Sequence, residues 1–265
     1  MNQNDLKYWK KQESPLFKDL EWNFPEQKSG TINIIGGNSM SFSSEVKITE
    51  FLLQRYPIEN VNLILPNSLR KKLPPLPNIV FTPSSDSGSF KKSIELASAL
   101  NSKTEPCFNL FLGDFSKNSE TSVAIIDLLK KTETPTLLAR DSIDILSSDA
   151  EEILEKGNLT LVASLIQLQK LFRSIYYPKM ILLSSPIIPI IETLHKFTLS
   201  YSVSILTLHE GILITASNGK IITTDLKKTE YSPISYQDGR LAAKISAYLL
   251  YNQKKPLKSI NAALF

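Results

Sequence analysis

The sequence is poor in the residues on which much protein chemistry is built. Its 265 residues include one cysteine, Cys107, and two histidines, His195 and His209. A lone thiol excludes an internal disulfide framework and a thiolate metal cluster. Two imidazoles leave little material for zinc, so no metal centre is expected. Glycine is scarce too: nine residues, about half the usual share of ~7%. Phosphate-cradling loops are ordinarily made of glycine, because backbone must come close to the anion. The shortage therefore bears on function.

Long apolar runs are missing as well. The longest, from Met180 to Leu194, is interrupted by Ser184, Ser185, Pro186, Pro189 and Glu192, and is too short to span a bilayer. The opening stretch, MNQNDLKYWKKQESPLF, is polar and lacks the apolar core of a signal peptide. No membrane partner is expected, and the expected location is cytoplasmic. Thirty basic against twenty-six acidic residues leave a formal charge of +4. The basic residues lie in small scattered groups such as Lys10-Lys11, Lys91-Lys92 and Lys254-Lys255. Nucleic acid would call for a concentrated basic stripe with interleaved aromatics, so none is expected as a partner.

What is present is an ordinary globular composition, 42% hydrophobic and 21% charged, on a chain long enough to bury a sizeable core. From residue 31 onward, short apolar runs alternate with helical periodicity. TINIIGG (31–37), VNLILP (61–66), NIVFT (78–82), CFNLFLG (107–113), TPTLLA (134–139), LTLVA (159–163), KMILLS (179–184) and VSILTL (203–208) read as buried strands. Between them, helices are expected at 43–56 with a serine cap, 89–100, 120–131, 149–155, 165–175 and 186–199. Residues 211–224 form two alternating runs around Ser217-Asn218-Gly219, a hairpin signal. Helices over 238–252 and 256–264 close the chain. Nearly all-apolar strands alternating with helices imply a mainly parallel sheet covered on both faces, of about nine strands. No linker divides the chain, so one domain over 1–265 is expected. Its arm, residues 1–30, would be anchored by Tyr8, Trp9, Trp22 and Phe24 on the body or on a neighbouring subunit.

The order of these segments resembles that of the ADP/ATP-dependent NAD(P)H-hydrate dehydratases, over nearly the whole chain. FPEQKSGTINIIGGNS (24–39) is similar to the family's opening, in which lysine and glycine precede a strand ending in Gly-Gly-Ser. LFLGDFSKNSET (110–121) sits at its glycine-rich turn, and TPTLLARDSIDIL (134–146) at its sixth-strand motif. SILTLHEGILITASNGKIITT (204–224) and DGRLAAKISAYLL (238–250) resemble the hairpin and the catalytic helix. The resemblance implies a ribokinase-like three-layer α/β/α sandwich, ATP or ADP with Mg as cofactor, NAD(P)H hydrate as substrate, and a homo-oligomer. It also implies an anion hole at a helix start, with an aspartate as base.

Carried over by position, the catalytic residue is Asp238 when counted from the hairpin, and Gly239 stands there when counted back from the helix. A helix cap is the alternative role for Asp238. The nucleotide- or substrate-binding positions are Gly36, Gly37, Asn38, Ser39, Gly113, Asp141, His209, Gln237 and Gly239. The departures cluster. Ser235, Tyr236 and Gln237 replace the anion-hole glycines, Leu208 stands near the family's lysine, and ASLIQ (163–167) replaces its His-Pro-Gly-Glu. Ala139 takes one of two paired aspartates, and Asp114, Phe115 and Ser116 replace turn glycines. The expectation is a dehydratase-like chain whose activity is weak or lost. The alternatives are a non-catalytic nucleotide-binding or assembly homologue, and a small-molecule kinase of the same superfamily. A cleft filled by Tyr236 or Phe115 would argue for loss.

Overall fold

Apolar runs that fill both faces of a sheet need cover on both sides, and the chain supplies it by winding in two directions from one central pair of strands. The computed structural model describes residues 7–14, 24–73, 78–100, 105–146 and 150–265, without the side chains of Ser93, Ser235 and Gln237. In chain order the first half comprises β1 (Trp9–Gln12), β2 (Ser29–Gly36), α1 (Ser43–Arg55), β3 (Ile58–Pro66), β4 (Ile79–Thr82), α2 (Ser93–Leu100), β5 (Cys107–Gly113) and α3 (Ser119–Lys131). Next come β6 (Thr136–Ala139), α4 (Ala150–Glu155), β7 (Leu159–Val162), α5 (Leu165–Ser174) and α6 (Ile187–Ser200). The chain ends with β8 (Val203–His209), β9 (Ile212–Ser217), β10 (Lys220–Asp225), α7 (Pro233–Gln237), α8 (Arg240–Tyr251) and α9 (Pro256–Ala262).

Ten strands form one sheet in the order β1-β10-β9-β8-β7-β6-β5-β2-β3-β4. Every pairing is parallel except those of β9 with β8 and β10. Alternate residues feed opposite layers, as a period of two requires. Ile35 and Phe111 join the core under α2 to α6, while Ile34, Leu110 and Leu112 join the core under α1, α8 and α9. The architecture is the expected three-layer α/β/α sandwich.

Across the centre, three asparagines lie in register: Asn33 pairs with Asn62 and with Asn109. Asn62 Nδ2 donates to Asn33 Oδ1, and Asn33 Nδ2 donates to Asn109 Oδ1, each at 3.0 Å. The ladder links β3, β2 and β5 through their side chains.

Several local expectations are corrected. Residues 179–184 form a surface loop rather than a strand. β7 pairs directly with β8, Leu159 opposite Val203, so the sheet has no slot between them; Leu182 and Leu183 are about half exposed. β1 was not anticipated: its four residues add in parallel to the edge strand β10. Phe42, not a serine, precedes α1, and no side chain caps it. Residues 84–90 close on themselves through a Ser84–Phe90 bridge, which delays α2 to Ser93. The hairpin is as expected, with Asn218 and Gly219 both at positive φ, the signature of a type I′ turn.

The arm is anchored by aromatic contacts. Tyr8 stacks on His195 at 3.6 Å, Trp9 Nε1 donates to Thr223 Oγ1 at 2.9 Å, and Phe24 packs among Tyr56, Tyr248 and Tyr251. Trp22 lies outside the described residues.

Candidate functional site

From β2 the sheet grows through β3 and β4 on one side and through β5, β6 and β7 on the other. The connections therefore diverge at the C-terminal ends of β2 and β5, the place where open α/β sheets form a ligand crevice. Most of the residues picked out from the sequence gather at this rim.

The Gly36–Ser39 loop is the first wall. A Cβ on Gly36 would lie 2.8 Å from both Glu45 Oε1 and Gly113 O, so glycine is needed for packing. The amide groups that follow are all engaged within the fold. Gly37 N donates to Gly113 O, Asn38 N to Ser41 O and Ser39 N to Gly88 O. Met40 N and Ser41 N donate to Asn38 Oδ1, and Asn38 Nδ2 reaches Asp114 O. The loop offers a ligand no row of free N–H donors.

The second wall is a cluster of charges. Gly113, Asp114 and Arg140 all have positive φ, at 90°, 53° and 57°, a conformation that strains the two residues carrying a Cβ. The strained pair grips itself: Arg140 Nη1 and Nη2 donate to the two Asp114 oxygens at 3.1 and 3.0 Å. Asp141 braces the same turn, accepting from Asp114 N at 2.8 Å and Phe115 N at 3.3 Å. Burial is the main cause that raises its carboxyl above the usual range. A Cβ on Gly113 would fall 1.9 Å from Asp141 Oδ1. Below lies Glu45, fully buried, with neither oxygen hydrogen-bonded among the described residues and Arg140 Nη1 at 3.7 Å. Burial foremost, and then the Asp114 charge, push its carboxyl up to about 8, against smaller pulls from the residue's own backbone amide and from Arg140. At neutral pH Glu45 is an acid that keeps its proton.

The third wall contains α7 and the start of α8, residues 233–240. Tyr236, 8% exposed, sinks between the ends of β7 and β8, its hydroxyl 3.0 Å from Ala163 O and 3.1 Å from Leu206 O. Gly239 precedes α8 at φ 92°, and a Cβ there would lie 3.0 Å from Leu112 Cδ2, so the helix start is packed onto the strand. Asp238 turns back to α8: its oxygens accept Arg240 N at 2.9 Å and Arg240 Nε at 2.7 Å. Phe115, 7% exposed, packs edge-on against Phe90. His209 is buried at the end of β8 with Nε2 3.0 Å from Ser185 O, tying down the loop just before α6. The Gln237 side chain is outside what the structure describes.

One opening at the rim is a crevice of about 520 Å³ bordered by Asp114, Arg140, Asp141, Gln167, Lys170 and Tyr236; beside it a cavity of about 460 Å³ shares Asp141, Gln167 and Lys170 and is walled by residues 115–119. The cations of the crevice are engaged: Arg140 by Asp114 and Lys170 by Asp144 at 3.0 Å. Among the described residues no group of three or more His, Cys, Asp or Glu side chains is placed to hold a metal ion on protein ligands alone.

The sequence reading missed Glu45, Arg140 and Gln167. Glu45 shares the buried stripe of α1 with Ile48 and Leu52, an i, i+3, i+7 spacing that marks an acid on an apolar face. Ser164 and Gln167 form a capping box, legible as Ser-x-x-Gln before an apolar run; Gln167 Nε2 also holds Arg140 O at 2.7 Å. Arg140 carried no sequence signal for its pairing.

No protein-family model matches the chain, and no curated protein matches it. Solved structures do. A ribokinase-like superfamily protein from Enterococcus faecalis V583 aligns at 11% identity and TM-score 0.64, covering 97% of this chain and 85% of that one. The fold is ribokinase-like. A Bacillus subtilis member of the UPF0031 family aligns at 10% identity and TM-score 0.59, covering 95% and 86%. The ADP complex of Bacillus subtilis pyridoxal kinase aligns at 11% identity and TM-score 0.51, covering 89% of each chain. At these identities the likeness concerns the fold alone, and ribokinase-like proteins include enzymes of different reactions.

Proposed function

We propose that this chain is a non-catalytic ribokinase-like protein, a binding or assembly component that transfers no phosphate. The observation that carries the reading is Tyr236. Its ring fills the strand-end gap, and its hydroxyl is satisfied by the carbonyls of Ala163 and Leu206, so the plug belongs to the folded core. Phosphoryl chemistry on this scaffold depends on donors aimed at the transferring group. Here the first amide of α8 is held by Asp238, and the same carboxylate holds the Arg240 side chain. That is the hydrogen bonding of a cap.

The competing reading is a working NAD(P)H-hydrate dehydratase that uses Asp238 as base, and a small-molecule kinase would make the same demand on the helix start. Both are tested by supplying hydrated NADH, and separately a panel of small alcohols including pyridoxal, with ATP or ADP. The expected result is no turnover by wild type or by Asp238→Asn. Turnover by wild type that disappears in Asp238→Asn would overturn the proposal.

A further inference from the structure

A second concave site lies away from the rim, on the outer face of the α1/α8 layer. It is a groove of about 430 Å³ between the last turn of α1, the loop at 230–232 and the first two turns of α8. Three cations border it, Arg55, Arg240 and Lys244, with Glu230 on Lys244 and Asp238, at 2.7 Å from Arg240 Nε, just outside the groove. Its other walls are aromatic: Phe51 and Tyr56 meet edge to face at 6.1 Å, and Tyr231 stands opposite. The cations lean on the rings. The Arg55 guanidinium is 5.5 Å from the Phe51 ring centre, and Lys244 Nζ is 5.9 Å from that of Tyr231.

Glu230 reports the field in this groove. Burial alone would raise its carboxyl, yet the Lys244 hydrogen bond and charge, with Arg55 further off, hold it below the usual range. Lys244 Nζ meets Glu230 Oε1 at 2.6 Å, and the Glu230 side chain is 56% exposed. A half-exposed carboxylate thus sits where a ligand anion would sit, on a mostly buried lysine flanked by Arg55 and Arg240. Guanidinium groups bind planar anions bidentately and stack on rings, and aromatic walls beside cations favour a flat ligand with a charged end.

We infer that this groove binds a small anion attached to an aromatic ring, of the nucleoside monophosphate class, with Arg55, Arg240 and Lys244 on the anion and Phe51, Tyr56 and Tyr231 beside the ring. Occupation displaces Glu230 from Lys244. The site shares Arg240 with the Asp238 cap at the rim, so the anion competes with Asp238 as well as with Glu230, but it stands whether or not the rim turns anything over.

The test is calorimetric titration of the full chain with AMP, adenosine and inorganic phosphate at low ionic strength. AMP is expected to bind saturably and more tightly than either fragment. Arg55→Ala and Arg240→Ala, both at exposed positions, are each expected to weaken AMP roughly tenfold, the equivalent of one charge-assisted contact. Glu230→Gln is expected to tighten it severalfold by removing the internal competitor. No saturable binding of AMP would overturn the inference. So would an AMP affinity that is the same in the Arg55→Ala/Arg240→Ala double variant as in wild type. Phosphate binding as tightly as AMP would overturn the part assigned to the rings.

Discussion

Glu45 should make this protein lose stability as the pH rises from about 4.5 to about 8. Its carboxyl is fully buried, with no hydrogen bond to either oxygen among the described residues, and is pushed up to about 8 from an ordinary value of 4.5. In the unfolded chain it releases its proton near 4.5, whereas in the folded chain it holds the proton until about 8. Between those values the unfolded state binds fewer protons, so stability falls as pH rises. Each unit is worth about 1.4 kcal/mol. The full span amounts to about 5 kcal/mol, of which roughly 3 is already lost at pH 7. The figure is an upper bound, because Arg140 Nη1, at 3.7 Å, can close on an ionised Glu45. Glu45→Gln keeps the shape and removes the titration. Urea unfolding followed from pH 5 to pH 9 should show wild type falling by several kcal/mol and Glu45→Gln falling much less, since Asp141, also raised by burial, remains in both. Above pH 8 the variant should be the more stable protein. Two parallel pH curves would refute the reasoning.

Two further substitutions probe the rim. Tyr236→Phe removes the hydroxyl shared between Ala163 O and Leu206 O and should cost about 1–2 kcal/mol, as for a buried carbonyl left unpaired; an unchanged urea midpoint would show that the plug is held by its ring alone. Gly113→Ala puts a methyl group 1.9 Å from Asp141 Oδ1 at φ 90°. It should cost at least about 2 kcal/mol through strain and the lost brace on residues 114 and 115; a variant as stable as wild type in urea would show that the strand end is slack.

Much of the scaffold is legible in the sequence because its causes are local. Buried parallel strands must be apolar on both faces, so CFNLFLG announces β5, and Asn218-Gly219 meets the backbone demand of its turn by residue type alone. The failures are non-local. KMILLS has the composition of a strand, but whether a segment joins a sheet depends on a free neighbour, and β7 and β8 had already paired. WKKQ has little strand character of its own, and β1 forms because β10 presents an unpaired edge. The rim divides in the same way. Tyr236 in a glycine position signalled a filled gap, since a side chain there must go somewhere. The Arg140–Asp114 grip could not be read, because it depends on β5 and β6 being neighbours and on two residues taking positive φ together.

The asparagine ladder has a consequence for the rim. Three carboxamides that satisfy one another only when level with each other act as a stop against sliding: a slip of one residue would turn Asn33 to the opposite face and leave Asn62 and Asn109 facing hydrocarbon. The stop lies three residues below Gly36 and four below Gly113, and the extra residue on β5 is absorbed where the pairing shifts after Ile35. The two glycines are brought opposite each other by this offset. The height at which β2 and β5 end, and with it the spacing of Glu45, Asp114 and Arg140, is set by a polar gauge in the middle of the sheet, one that works whether or not any reaction takes place above it.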